Sequence, residues 1–163
     1  MKIVVVSDTH IPKRAKELPQ PRLRKLKTTD RIIHAGDWQT IDVFHQLSAF
    51  APVDGVFGNV DREDIKKIMP EKKIITIKGW KIGIFHGHGD RKTTEKRAIE
   101  ALYGEVDCVV FGHSHIPYLR YVKKTLLFNP GSPTDKRKNP FYSFGIFTIY
   151  DTIRAEHVFS SEI

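Results

Sequence analysis

The chain has 163 residues, of which 40% are hydrophobic and 28% charged, proportions that are ordinary for a soluble globular protein. We predict one domain over residues 1–163 without a signal peptide, because the opening apolar run is short and bears no cleavage site. No apolar run approaches the roughly 18 residues that a membrane-spanning helix needs. These features predict a cytoplasmic protein without a membrane partner.

The net charge of +8 arises from 27 lysine and arginine residues against 19 acidic ones. Such a balance attracts nucleic acid or small phosphorylated substrates, or it serves solubility, and charge alone does not separate these alternatives. The basic residues form short groups that are not interleaved with aromatic residues, among them Lys13, Arg14 and Lys16, and Lys136, Arg137 and Lys138. The lone Cys108 excludes an intramolecular disulfide and lies in an apolar run, so we assign it to the core.

The first half of the chain repeats one pattern three times: a short apolar run, then a turn with polar side chains. Residues 2–6 predict a buried strand, and Asp8 and His10 follow its end. Residues 30–34 predict a second strand that leads into Gly36 and Asp37, and residues 52–57 predict a third that leads into Gly58-Asn59-Val60-Asp61. Helices are predicted over 21–27 and after an N-cap at Thr40. The repeated units favour an α/β fold with partly parallel strands.

The second half continues the pattern within a hairpin-rich region. Residues 74–77 and 80–85 flank Lys78-Gly79 and predict a hairpin, and the second strand ends at His86-Gly-His88. A helix is predicted over 94–103, with Gly104 at its end. Residues 107–111 predict a buried strand that ends at Gly112-His113-Ser114-His115. Further strands are predicted over 118–122, 126–128, 141–150 and 152–159.

The polar residues at these strand ends form a set of oxygen and imidazole donors without cysteine: Asp8, His10, Asp37, Asn59, His86, His113 and His115. Each residue alone has an ordinary alternative, since Asp is common at N-caps and turns, Asn in turns and His in loops. Together they exceed the needs of one metal ion and predict two divalent ions that share a carboxylate. The donor types favour manganese, nickel, iron or zinc as a catalytic metal over a structural zinc site.

These motifs resemble those of calcineurin-like metallophosphoesterases, in the same order along residues 2–132. Gly58-Asn-Val-Asp61 and Asn129-Pro-Gly-Ser132 are similar to those of the YfcE-type phosphodiesterase branch. The resemblance implies a four-layer αββα sandwich, an α/β fold that some schemes class as α+β. It also implies that Asp8, His10 and His115 bind one metal ion, that Asn59, His86 and His113 bind the other, and that Asp37 bridges them.

The resemblance implies a phosphoesterase, with diesters favoured, in which a metal-bridging hydroxide attacks phosphorus. Many family members have His where this chain has Val60, and that His is thought to assist the transition state or protonate the leaving group. We predict His88 as the general acid, with a structural role as the alternative, and Asp61 as a residue that orients a ligand or water.

Substrate contacts are predicted for Arg14, Arg62 and Asn129, which lie next to the motifs. The expected substrate is a small phosphodiester or phosphorylated molecule, with nucleic acid as an alternative substrate, and a homo-oligomer is compatible with the sequence. The chain also resembles the retromer subunit of the same fold, notably in Asp8-Thr-His-Ile-Pro12. The alternative function is therefore a non-catalytic protein-interaction scaffold, which the complete set of seven ligand residues disfavours.

Overall fold

The computed structural model describes residues 1–19 and 24–162. Their elements, in chain order, are strands β1 (Lys2–Val6) and β2 (Arg31–His34), helix α1 (Ile41–Ser48), strand β3 (Val53–Gly55), helix α2 (Glu63–Lys66), strands β4 (Lys72–Ile77) and β5 (Trp80–Phe85), helix α3 (Thr94–Leu102), and strands β6 (Cys108–Val110), β7 (Tyr118–Val122), β8 (Thr125–Asn129), β9 (Tyr142–Ile149) and β10 (Ile153–Ser160).

Two mixed sheets contain these strands. The first has the order β10-β9-β1-β2-β3, in which β1, β2 and β3 are parallel neighbours and β9 and β10 are antiparallel. The second has the order β4-β5-β6-β8-β7, with β5, β6 and β8 parallel between antiparallel edge strands. Parallel strands end at the same edge of a sheet, so the polar turns after them come together.

The main core lies between the two sheets, and each sheet has a second apolar layer on its outer face. Alternate side chains of β1 show this division: Ile3 and Val5 face the other sheet, whereas Val4 and Val6 pack with helix α1. Helix α3 covers the outer face of the second sheet through Ala98 and Leu102, which are among the buried residues of that layer. The predicted four-layer sandwich of the α/β class is therefore confirmed.

Three local expectations need correction or completion. The predicted helix over 21–27 lies partly outside the described residues, and residues 24–26 are helical. Thr40 is the N-cap residue of α1, as predicted, but its hydroxyl makes no capping hydrogen bond and donates instead to the carbonyl of Ile11, which ties two loops together. Helix α2 is a single turn that the sequence pattern did not reveal.

Within the described ranges, no helix combines the length and apolar character that crossing a bilayer requires.

Candidate metal centre

The seven candidate ligands all follow the carboxyl ends of strands. Asp8 and His10 follow β1, Asp37 follows β2, and Asn59 follows β3 in the first sheet. The histidines come from the second sheet: His86 follows β5, and His113 and His115 follow β6. Asp8 and His113 are 105 residues apart, yet the backbone N–H of His113 donates to the Asp8 carboxylate at 3.0 Å. The candidate site therefore forms where the carboxyl ends of parallel strands from the two sheets come together.

One group consists of Asp8, His10 and His115, whose candidate ligand atoms all lie within 4.8 Å of one another. The two imidazoles face each other, with 3.2 Å between their Nε2 atoms. Asp8 Oδ1 lies 3.4 Å from His115 Nε2 and 3.8 Å from His10 Nε2. Two imidazole nitrogens and one carboxylate oxygen thus converge on one small volume.

The second group consists of Asp37, His86 and His113, under the same 4.8 Å limit. His86 Nε2 lies 3.1 Å from Asp37 Oδ2 and 3.8 Å from Asp8 Oδ1, so it stands between the two carboxylates. Asn59 joins this group through its Oδ1 atom, 3.1 Å from His113 Nδ1. The two groups touch, because Asp37 Oδ2 is also 3.8 Å from His10 Nε2.

Hydrogen bonds to the backbone aim these side chains inward. Each carboxylate uses one oxygen to accept a backbone N–H, Asp8 from His113 and Asp37 from Val60, at 3.0 Å in both cases. His86 Nδ1 donates to the carbonyl of Ala35 at 2.7 Å, which leaves Nε2 directed at the carboxylates. His115 Nδ1 donates to the carbonyl of Asp135 at 2.6 Å with the same result. This is the arrangement that fixes the tautomer of metal-binding histidines.

The electrostatics of the cluster favour a cation. Burial raises the pKa of Asp8 to about 7, and the neighbouring Asp37 carboxylate contributes to that rise. Burial alone would raise the pKa of Asp37 and lower that of His86, but their mutual attraction dominates and gives values of about 2 and about 9. Two buried carboxylates close together stabilise positive charge between them, whether it is a proton or a metal ion.

The donor set fits divalent metal ions on an observation independent of charge. Asp8 Oδ1 is buried and makes no hydrogen bond, and His86 Nε2 faces Asp37 Oδ2 at 3.1 Å without hydrogen-bond geometry, although both atoms point into the cluster. A buried polar atom without a partner is costly, whereas ligation of a metal ion satisfies it. Burial also lowers the pKa values of His113 and His115 to about 4, so these rings are neutral and able to ligate at neutral pH.

Left-handed backbone conformation is concentrated in the ligand residues. Five of the seven candidates have φ between +46° and +67°: Asp8, His10, Asp37, His113 and His115. Asp, Asn and His tolerate this region better than other residues with a Cβ, but it remains sparsely populated. Such strain persists where surrounding structure enforces it, and it clusters at functional sites. Sequence reasoning could not detect this feature.

Two glycines allow the ligand turns to approach each other. A Cβ atom at Gly36, where φ is +100°, would lie 2.7 Å from His86 Nδ1. A Cβ atom at Gly112 would lie 2.0 Å from Ser7 Oγ and 2.7 Å from Asp8 Oδ2. All three distances are too short for a Cβ atom, so glycine is required at these positions.

Asp61 holds the ligand turns of the first sheet. Its carboxylate accepts backbone N–H groups from Asp37 at 3.0 Å, Gly58 at 2.7 Å and Gln39 at 2.6 Å. Burial raises its pKa to about 6. These contacts place Asp61 against the turn that carries Asp37, and its predicted role in orienting a ligand or water stays a prediction.

His88 lies beside the cluster rather than inside it. Its ring centroid is 5.6 Å from that of His86, and its side chain is 24% exposed, with Nε2 3.9 Å from Glu71 Oε1. Burial lowers its pKa, and the positive charge of His86 adds to this effect. A lowered pKa works against a proton on His88 at neutral pH, and its role as general acid stays a prediction.

Asn129 requires a correction. It is fully buried, and its amide donates to the Gly112 carbonyl at 2.9 Å and to Ser114 Oγ at 3.1 Å. Its amide oxygen accepts the Gly131 N–H, so each of its polar atoms already has a partner. We therefore replace the predicted substrate contact with a structural role, in which Asn129 supports the loop that carries His113 and His115.

The two arginines with predicted substrate contacts differ in position. Arg14 lines a cleft beside His10 and pairs with Asp135, with 3.2 Å between Nε and Oδ2. Arg62 is exposed at the start of α2 and is not among the residues that line this cleft. Arg137, which sequence reasoning noted only as part of a basic group, also lines the cleft. Its charge was visible in the sequence, but its placement was not.

Comparison with known proteins identifies relatives over nearly the whole chain. Residues 1–152 match the model of the calcineurin-like phosphoesterase superfamily domain. A probable metallophosphoesterase of Methanothermobacter thermautotrophicus is 36% identical over 138 residues, which cover 84% of this chain and 80% of that protein. A probable metallophosphoesterase of Methanocaldococcus jannaschii is 35% identical over 158 residues, or 96% of this chain and 80% of that protein.

Among solved structures, Vps29 from Entamoeba histolytica in complex with zinc is similar in fold. It superposes with a TM-score of 0.77 at 28% sequence identity, and the match covers 98% of this chain and 99% of the Vps29 chain. Sequence and structure comparisons thus agree on the fold, and this Vps29 structure contains zinc.

Proposed function

The chain belongs to the calcineurin-like phosphoesterase superfamily, and from this premise we propose that it is a dinuclear metal-dependent phosphoesterase that favours diesters. The observation that best supports this proposal is the pair of touching ligand groups, each within 4.8 Å, at one end of the sandwich. Asp8, His10 and His115 would hold one divalent ion, and Asn59, His86 and His113 the other, with Asp37 shared. Manganese, nickel, iron and zinc all suit these donors.

Two divalent ions bound there would supply Lewis acidity that activates water near neutral pH and neutralises charge on the phosphate. The protein would hold the ligand side chains in their orientations before the substrate binds. His86 and His115 are oriented by backbone carbonyls, and Asp8 and Asp37 by backbone N–H groups. Preformed geometry of this kind avoids reorganisation during the reaction. The cationic residues beside His10 would attract the anionic substrate.

The test is hydrolysis of bis-p-nitrophenyl phosphate by protein loaded with Mn²⁺ or Ni²⁺. We expect Asp37→Ala to release p-nitrophenolate at least about a hundredfold more slowly than the wild type, because both ions lose a ligand. Asp54→Asn is the control, since it removes an acidic charge whose partners are Arg31 and Lys73 rather than any candidate ligand. No cleavage by the metal-loaded wild type, or equal rates for Asp37→Ala, would refute the proposal.

Protonation of the leaving group is the step that Val60 leaves open, because valine carries no proton to donate. We propose His88 as the donor, from its position beside His86. An alkoxide leaving group needs a proton, whereas p-nitrophenolate is a good leaving group without one. His88→Asn should therefore slow hydrolysis of thymidylyl-(3′→5′)-thymidine about tenfold or more and leave bis-p-nitrophenyl phosphate hydrolysis nearly unchanged. Equal effects on both substrates would assign His88 a structural role instead.

A protein-binding scaffold is the second candidate, because the structural similarity to Vps29 covers 98% of the chain. Exposed apolar side chains, such as Leu119 and Tyr121 on β7 and Phe159 on β10, give such a scaffold a surface. A partner recovered in stoichiometric amount from cells, and retained equally by Asp37→Ala, would favour this function if the metal-loaded protein cleaves no ester.

A further inference from the structure

A cationic cleft adjoins the candidate metal centre. Its volume is about 180 Å³, and it is lined by Lys13, Arg14 and Arg137 together with His10, Val60 and Asp135. A single water needs roughly 10–15 Å³ on a comparable measure, so the cleft has room for a chemical group of substantial size. His10 belongs to both the cleft and the first ligand group, so the cleft opens directly onto the metal centre.

The loops that line the cleft are held in place by hydrogen bonds to neighbouring loops. The loop after β1 is tied to the loop after β2, because Ile11 N–H donates to the Trp38 carbonyl and Lys13 N–H donates to Gln39 Oε1. The loop that carries Asp135 and Arg137 follows Ser132, whose hydroxyl donates to the Asp8 carbonyl at 2.7 Å. The basic side chains therefore start from fixed backbone positions around the cleft.

Asp135 organises the cations without neutralising them. Its Oδ2 atom lies 3.2 Å from Arg14 Nε, and its Oδ1 accepts the backbone N–H of Arg137 at 3.3 Å. The Arg137 guanidinium reaches the His113 carbonyl at 3.4 Å, which places it over the loop of metal ligands. Of the three cationic side chains, Arg14 is the one that pairs with this carboxylate, so the cleft retains an excess of positive charge beside the metal centre.

We propose that this cleft is a subsite for a second phosphate group of the substrate. The inference rests on the proposed function: the scissile diester would lie at the metal centre, and an additional phosphate on the same molecule would be bound by Arg14, Lys13 and Arg137. Guanidinium groups bind phosphate through paired, charge-assisted hydrogen bonds. The preferred substrates are then diesters that carry another phosphate nearby, as in phosphorylated nucleotide esters and short oligonucleotides, and simple diesters are poorer substrates.

A matched pair of substrates tests the subsite. Thymidine 5′-(p-nitrophenyl phosphate) and its 3′-phosphorylated form share the scissile bond and the leaving group, and differ only in the second phosphate. For the wild type we expect the 3′-phosphate to raise kcat/KM roughly tenfold or more, as one charge-assisted contact would produce. Arg137→Gln and Arg14→Gln should each bring the ratio between the two substrates close to one.

Lys138→Gln is the control, because it removes the same charge from the residue next to Arg137 without altering the cleft lining. Its substrate ratio should equal that of the wild type at about 0.15 M salt, where exposed charges are largely screened. A second readout needs no turnover: calorimetry with Mn²⁺-loaded protein should show thymidine 3′,5′-bisphosphate binding about tenfold more tightly than thymidine 5′-monophosphate, and Arg137→Gln should remove that difference.

The outcomes separate this inference from the proposed function. If the protein hydrolyses both substrates equally and Arg137→Gln changes no ratio, the subsite is refuted and the phosphoesterase stands. If the bisphosphate binds more tightly through Arg137 but neither substrate is hydrolysed, the subsite is supported and the proposed function is refuted. If Lys138→Gln lowers the ratio as much as Arg137→Gln does, general surface charge explains the preference and the subsite is refuted.

Discussion

The layer between the two sheets is buried, and so is the loop end of the sandwich, where the candidate metal ligands lie. The two regions differ in the chemistry of their buried side chains. The layer between the sheets consists of aliphatic and aromatic side chains, such as Ile33, Val110 and Phe128. The loop end buries Asp8, Asp37 and His86 in direct contact, on a backbone that is left-handed at both aspartates. Burial of apolar groups stabilises the fold, whereas burial of charged groups costs stability unless they are paired.

The difference indicates which region maintains the fold and which offers ligand atoms to a metal ion. The apolar layer stabilises the fold and brings strand ends from both sheets to one place. The loop end lowers the stability of the fold, because it contains buried atoms without hydrogen bonds and a strained backbone. Asp8 Oδ1 and His86 Nε2 have no hydrogen-bond partner, and a metal ion would satisfy both. Mutations in the two regions should therefore have different effects, which four measurements can separate.

The largest effect on stability is expected in the layer between the sheets. Phe128 is fully buried, with its ring centroid 4.9 Å from that of Phe147 and 4.5 Å from that of His157. Phe128→Ala should lower the free energy of unfolding by about 3–5 kcal/mol in urea titrations, because it leaves a cavity. Tyr121→Ala, at an exposed position on β7, should change it by less than about 0.5 kcal/mol. A loss below about 1 kcal/mol for Phe128→Ala would contradict the role given to this layer.

Metal ions should stabilise the loop end by a smaller amount. Mn²⁺ at about 100 times its dissociation constant should raise the free energy of unfolding by about 2.7 kcal/mol relative to protein in EDTA. Asp37→Asn should abolish this gain, whereas Asp54→Asn, which makes the same charge change in strand β3, should retain it. The difference is measured by unfolding each protein with and without the ion. A gain that survives in Asp37→Asn would place the ion elsewhere.

Asp61 tests whether positioning residues affect both stability and metal affinity. Its carboxylate accepts three backbone N–H groups, and an asparagine there must turn its own amide toward at least one of them. Asp61→Asn should cost about 2 kcal/mol of stability and weaken Mn²⁺ binding about 10–100-fold in calorimetric titrations. Glu63→Gln, an exposed neighbour, should change neither quantity. An unchanged metal affinity would restrict Asp61 to a purely structural role.

The smallest effect is expected where the edges of the two sheets meet. Asp54 on β3 accepts a hydrogen bond from Arg31 and lies 2.8 Å from Lys73 Nζ on β4. Burial would raise the pKa of Asp54, but hydrogen bonds from these two cations lower it below its ordinary value of 3.8. Both cations are about one-third exposed, so solvent screens the interaction, and Asp54→Asn should cost about 1 kcal/mol at pH 7.

The pH dependence of this cost has a definite sign. A carboxylate with a lowered pKa contributes stability above its unfolded value of 3.8, and that contribution is lost as the pH falls through the folded value. The stability difference between wild type and Asp54→Asn should therefore be constant from pH 7 to about 5 and decrease below about 4. A difference that grows in acid would show that the ion pair is not its source.

Much of the fold could be predicted from local patterns. The β-branched run of β1 predicted a strand buried on both faces, and the polar residues after each apolar run marked the strand ends. The site's supporting contacts could not be predicted in this way. The hydroxyl of Thr134 donates to the carbonyl of Thr9 across 125 residues, and Asn129 supports a loop rather than a substrate. Such contacts depend on how the two sheets stack, which single-sequence patterns do not encode.

The left-handed conformation at five ligand positions limits how this site can evolve. Asp, Asn and His are the residues with a side chain that best tolerate such a backbone, and each of them can also bind a metal ion. Exchanges among these three at Asp8, His10, Asp37, His113 or His115 would alter the charge of the centre and its preference among metals while keeping the loops intact. Cysteine and glutamate are less favoured than these three residues in a left-handed backbone. The main chain thus favours a short series of related metal sites at this centre.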